Sequence, residues 1–163
     1  MADAKEKGFP WEKFLWIAIF ATALLVGAGF RFYQLELRVV HGDEANQAVK
    51  AGQLLETGKY RYDPREHHGP TLYYMALPIL KAAGITTLKA SQIHHYRMVP
   101  AICGFLLLFV VAGVMRPFGR WAIFWAVLFT AISHAMTYYS RYFVQETAFV
   151  LFTYAAVGAS WWC

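Results

Sequence analysis

Residues 98–115 read MVPAICGFLLLFVVAGVM and lie between Arg97 and Arg116, with no charged side chain among them. At a rise of ~1.5 Å per residue, a helix over this stretch covers most of a ~30 Å hydrocarbon core, for which about 17 residues is the lower limit. Three more charge-free runs accompany it: Phe14–Phe30, Trp121–Ser140 and Thr147–Cys163. The charges crowd into residues 1–13 and the segment from Arg31 to Arg97; only Arg116, Arg120, Arg141 and Glu146 come later. Composition agrees, with 58% hydrophobic and 15% charged residues, where soluble domains run near ~45–50% and ~25%. Disordered, collagen-like and disulfide-framework chains are excluded. The pattern predicts an all-α integral membrane protein with about four transmembrane helices.

Topology follows from the basic residues. Lys5, Lys7 and Lys13 put the N-terminus, 1–13, in the cytoplasm of a multi-pass protein of the cell membrane. The first transmembrane helix is expected over 14–33 and delivers an extracytoplasmic loop, 34–96, to the other side. The second span, 97–115, returns to a cytoplasmic turn, 116–120, in which Arg116 and Arg120 bracket Pro117-Phe118-Gly119. The third span, 121–139, leads to an extracytoplasmic motif, 140–146, and the fourth, 147–163, follows. Thr71–Ala83 is apolar but short, broken by Pro78 and closed by Lys81. Such a segment fits an interfacial juxtamembrane helix better than a span. If it spanned, parity would move Arg116 and Arg120 outside. The net charge of +5 does not point to nucleic acid, because the basic residues are scattered and flank apolar runs. Cys103 and Cys163 sit in apolar runs and form neither a disulfide framework nor a metal-ligand spacing. The long first run, with a start of mixed charge, argues against a cleaved leader.

Within the outer loop, Asp43 is expected to cap a helix through Glu44–Glu56 that Gly58 stops. Adjacent carboxylates point in different directions on a helix, so one can act while the other caps or binds. An Asp beside lipid is poorly solvated when charged, which suits a general base; a simple N-cap followed by a first-turn acid explains the same pair without chemistry. Glu146 interrupts an otherwise apolar sequence, and ionisable groups at membrane depth are costly and tend to be functional. Arg141, five residues earlier, is either its ion-pair partner or a phosphate contact. Glu66-His67-His68-Gly69-Pro70 packs three potential ligands beside a rigid turn. A divalent metal ion is left open as a cofactor, with His67 and Glu146 as candidate ligands.

The order of these motifs resembles the N-terminal part of GT-C fold glycosyltransferases that use polyprenyl-phosphate sugars, in the branch of protein O-mannosyltransferases and lipid A aminoarabinose transferases. The matching segments are Asp43-Glu44-Ala45-Asn46-Gln47-Ala48, Gly58-Lys59-Tyr60, His68-Gly69-Pro70-Thr71-Leu72-Tyr73, Arg97-Met98-Val99-Pro100-Ala101 and Ser140-Arg141-Tyr142-Phe143-Val144-Gln145-Glu146. Each is weak alone; five in order are more specific. The resemblance implies that Asp43 is the general base for an acceptor hydroxyl, supported by Glu44. It also implies that His68, Arg141, Arg97 and Glu146 contact the substrate or the lipid phosphate. The chain departs from the family in Gly69, where a proline is usual, in His68, where some relatives carry lysine, and in Glu146, where the motif has aspartate. Members of the family have many more spanning helices, so the chain is expected to be a module with incomplete activity by itself. Its partners would be membrane lipid, the polyprenyl-phosphate sugar donor and other membrane subunits. The competing reading is a non-catalytic subunit of a larger membrane complex, derived from a truncated transferase.

Overall fold

The computed structural model describes residues 11–62, 64 and 69–162. Among them every regular element is helical: α1 (Trp11–Phe32), α2 (Gly42–Thr57), α3 (Thr71–Ala82), α4 (Ile93–Val114), α5 (Arg120–Ile132), α6 (His134–Tyr139) and α7 (Glu146–Trp162). Short 3₁₀ turns at Leu88–Ala90 and Arg116–Phe118 lead into α4 and α5. By length and composition, α1 and α4 could each cross a membrane; α5 is apolar but shorter.

The helix in the middle is α4, which packs against α1, α3, α5 and α7. Leu107, Leu108 and Val111 on α4 meet Val127 and Ala131 on α5 and Ala23 on α1 in one buried cluster. Small residues allow the close crossings: a methyl at Gly27 of α1 would come within 2.7 Å of Leu108 and 3.2 Å of Ala131. The amphipathic pair α2 and α3 lies beside α4. Ala48, Ala51 and Leu54 of α2 are buried with Leu72, Tyr73, Ala76 and Leu80 of α3, so the segment expected to be interfacial is a packed helix despite its internal Pro78.

Three boundaries differ from expectation, each for a visible reason. First, α2 is capped by His41 instead of Asp43: His41 Nδ1 accepts from the Asp43 N–H (3.3 Å), and Gly42 is the first helical residue. Its other end is as expected, because Gly58 adopts a left-handed φ of 68°. Second, α4 begins at Ile93 instead of 97, where the Gln92 N–H donates to His95 Nδ1 at 3.0 Å. Third, the single helix expected over 121–139 is broken at Ser133. The carbonyls of Thr130 and Ala131 at the end of α5 accept from Arg31 (3.0 and 3.1 Å), and the Ser133 hydroxyl caps α6 by accepting from the Met136 N–H at 3.4 Å. The end of one helix and the start of the next are thus both satisfied inside the fold.

Gly104 marks the tightest approach of α4 to the 140–146 segment. A methyl there would overlap Ser140 Cβ and stand 3.0 Å from Arg31 Nε. Gly104→Ala is expected to destabilise by about 1–3 kcal/mol, the usual cost of overpacking, read as a fall in Tm by circular dichroism. Gly29→Ala, whose new methyl meets nothing within 4 Å, is expected to be neutral or stabilising by up to ~1 kcal/mol.

Candidate functional site

Sequence segments far apart in the chain converge where α1 ends, α2 begins and α6 gives way to α7. At the centre is an ion pair with no exposed surface: Arg97 Nε donates to Glu44 Oε1 at 2.7 Å and Arg97 Nη2 to Glu44 Oε2 at 2.8 Å, both side chains being 0% exposed. The other guanidinium protons go to backbone carbonyls, Nη1 to Leu35 (2.6 Å) and Arg38 (3.0 Å) and Nη2 to Val39 (3.4 Å). A guanidinium has five N–H donors, and all five are used. Glu44 Oε1 also accepts the Phe143 N–H at 3.1 Å, which ties the 140–146 segment to α2.

These bonds change the parts expected for two residues. Arg97 has no proton left for a lipid phosphate. Glu44, buried and fully engaged, has no free face for a ligand and fixes the first turn of α2. Asp43, one residue earlier, is 69% exposed. The folded chain itself leaves that carboxylate uncovered. Asp43 Oδ2 lies 3.4 Å from His41 Nδ1, the nitrogen that also accepts the Asp43 N–H. In the neutral ring Nδ1 is the capping acceptor; a protonated ring would give up that cap and donate to the carboxylate.

Around Asp43 stand groups that sequence reasoning missed. Arg38 lies over the rings of Tyr138 (4.0 Å) and Tyr142 (4.7 Å) and donates to the Tyr138 hydroxyl at 2.6 Å. The His41 and Tyr142 rings meet edge to face at 5.8 Å. Burial, followed by the carboxylates of Asp43 and Glu44, pushes the Tyr142 phenol above its ordinary value, while Arg38 opposes them. The available signals were the four-residue spacing of Tyr138 and Tyr142 and a lone arginine shortly before the acidic pair.

Arg141 is oriented by the end of α1, donating to the carbonyls of Phe30 and Gln34 at 3.0 Å each, and does not pair with Glu146. Gln34 stands at a left-handed φ of 50° just past α1, and its carbonyl also accepts the Leu37 N–H at 3.4 Å. Partial burial and then the positive charges of Arg97 and Arg38 hold Arg141 below its ordinary value, with Glu36 opposing. Those cations repel one another, so an anion docked beside Arg141 and Arg38 would be favoured.

Glu146, the first residue of α7, is exposed and opens into a cleft of about 340 Å³ between α4, α6 and α7, whose walls include Gly104, Leu107 and Met136. Thr147 beside it is buried, with no partner for its hydroxyl among the described residues. His67 and His68, expected at the metal and phosphate positions, lie outside the described residues together with Glu66. Among the described residues no three His, Cys, Asp or Glu side chains gather as a metal site.

The clasp and the exposed acid can be separated by mutation. Arg97→Met leaves the Glu44 carboxylate buried without its partner and is expected to cost about 3–5 kcal/mol, whereas the double variant E44L/R97M should recover part of that loss; chemical denaturation of the purified variants measures both. Asp43→Asn should leave stability within ~0.5 kcal/mol. Comparison with protein-family models, with curated proteins and with solved structures found no match to this chain.

Proposed function

We propose that this chain is the site-bearing module of a multi-pass membrane glycosyltransferase that transfers a sugar from polyprenyl phosphate to an acceptor hydroxyl at the extracytoplasmic face. The observation that carries the reading is the convergence of three of the five motif segments. Glu44 is bonded to Arg97 and to the Phe143 N–H, which leaves the Asp43 carboxylate outward near the buried Tyr142 ring, over which Arg38 lies. An exposed base beside partly buried cations suits a reaction that removes a proton from one oxygen and releases negative charge on another.

In the proposed reaction the acceptor oxygen attacks the anomeric carbon from the face opposite the phosphate. Asp43 takes the hydroxyl proton as the new C–O bond forms. The bond from the anomeric carbon to the phosphate oxygen breaks, and its electron pair leaves with polyprenyl phosphate. Arg141, aimed by the Phe30 and Gln34 carbonyls, and Arg38 meet that developing charge; donors fixed before the reaction reorganise little during it. Glu44 and Arg97 hold the frame. The site fits a membrane-embedded chain with four spans and a cytoplasmic N-terminus, in which α1, α4, the α5–α6 pair and α7 cross.

The second reading, a non-catalytic subunit, draws on the apolar flank of α7, where Phe149, Phe152 and Val157 are exposed. Both readings need a membrane, and extraction of native membranes with alkaline carbonate should leave the chain in the pellet; release into the supernatant would remove both. They part at Asp43. General-base removal typically lowers a rate by ~10²–10⁴-fold. Asp43→Asn should therefore cut sugar transfer from a polyprenyl-phosphate donor in native membranes by that factor, with the Tm of the purified protein unchanged. Undiminished transfer by the variant would sink the role assigned to Asp43, and transfer by neither protein would favour the subunit reading.

A further inference from the structure

At the end of the bundle away from Asp43, a groove of about 560 Å³ runs between α1 and α5. The two helices run parallel and in register. The Trp16 and Trp121 rings meet edge to face at 4.4 Å near one end, while Gly27 abuts Ala131 near the other. Lys13, Ile17, Ala21 and Leu24 line one wall as a single helical stripe, and Ile123 of α5 faces them. The walls are apolar except at one end, where Lys13 and Arg120 both line the groove. The Arg120 guanidinium stands over the Trp16 ring at 5.5 Å, which holds it at the mouth.

An apolar trough closed at one end by two cations has the polarity of an anionic amphiphile. Its length agrees: from Lys13 to Leu24 the α1 wall rises about 16 Å, close to the ~15 Å that one leaflet contributes to a ~30 Å hydrocarbon core. Long basic side chains at helix ends keep their stems in apolar surroundings and their charges at headgroup level. We propose that this groove binds one anionic phospholipid, an acyl chain lying along Ile17, Ala21 and Leu24 and the phosphate held between Lys13 and the Arg120 fork. A flexible acyl chain fits a wall of mixed Trp, Phe and Ala relief without the complementary surface that a packed helix requires.

The proposal depends on membrane insertion but not on any catalytic role, so it stands or falls apart from Asp43. Native mass spectrometry of the protein in mild detergent tests it, with dioleoyl phosphatidylglycerol and dioleoyl phosphatidylcholine offered at equal concentration. Phosphatidylglycerol adducts should predominate and should resist competition by inorganic phosphate, which lacks the acyl chain. K13Q/R120Q should weaken the anionic lipid roughly fivefold per charge removed, from the attraction of a single basic residue to an anionic surface. A21F, which fills the groove at an exposed position, should weaken it with both charges intact. K13Q alone, also at an exposed position, should show the same direction if Arg120 variants fold poorly. Equal adducts of the two lipids, or a preference that survives both K13Q and A21F, would overturn the proposal. So would a concentration-dependent dimer that A21F dissolves, because a second copy would then occupy the groove.

Discussion

The buried pair of Glu44 and Arg97 is the constraint on which the candidate site depends. Two unpaired charges in such a place would be prohibitive, since the desolvation of each ion costs several kcal/mol. The pair stays because every donor of the guanidinium is used and the carboxylate also accepts a backbone N–H from Phe143. The bonds tie together the segment leaving α1, the first turn of α2, the start of α4 and the loop before α7. Replacing arginine by lysine would keep the charge but not the fork, because an ammonium cannot reach two carboxylate oxygens and three carbonyls at fixed angles.

The same clasp explains how two adjacent acids divide their labour. On a helix, neighbouring side chains diverge by roughly 100°, so burying Glu44 turns Asp43 outward. Its backbone N–H is engaged by His41, and its carboxylate remains exposed beside the Tyr142 and Arg38 group. A proton acceptor of this kind needs a backbone that does not shift when its side chain changes charge. Under the proposed function Glu44 would supply that rigidity without touching a substrate, a more specific part than the general support implied by the resemblance.

Much of the helical layout was legible because it is local. The charge-free run at 14–30 became α1, the run at 98–115 became most of α4, and Gly58 ended α2 through its own left-handed backbone. What escaped is set by distant partners. The break at Ser133 depends on Arg31, whose Nη2 reaches the Thr130 carbonyl across 99 positions of sequence. Within 121–139 only Ser133 hints at an interruption. The site was legible in part for the same reason. Asp43 stood out by its type and place, but the burial of Arg97 and the capping by His41 are three-dimensional facts. Arg38 carried no motif at all; its place over two tyrosines appears only when the 138–142 segment folds back onto the end of α1.

A common logic links the arginines at this end of the bundle. Helix C-termini leave carbonyls without intrahelical partners, and in apolar surroundings water cannot be relied on to satisfy them. Arg31 collects those of α5, Arg141 those of Phe30 in α1 and Gln34 just beyond it, and Arg97 those of the strap from Leu35 to Val39. Each lets the chain stop or bend where an uninterrupted helix would otherwise continue. This consumes cations that their residue type alone would assign to phosphate binding. Arg97 is spent entirely and Arg31 is sealed inside, whereas Arg141 gives one proton each to the Phe30 and Gln34 carbonyls, and Arg38 rests over the exposed Tyr138 ring and the buried Tyr142 ring. The groups still able to meet a ligand are therefore Arg38, Arg141 and Asp43, two cations and one base on a surface whose shape the other arginines maintain.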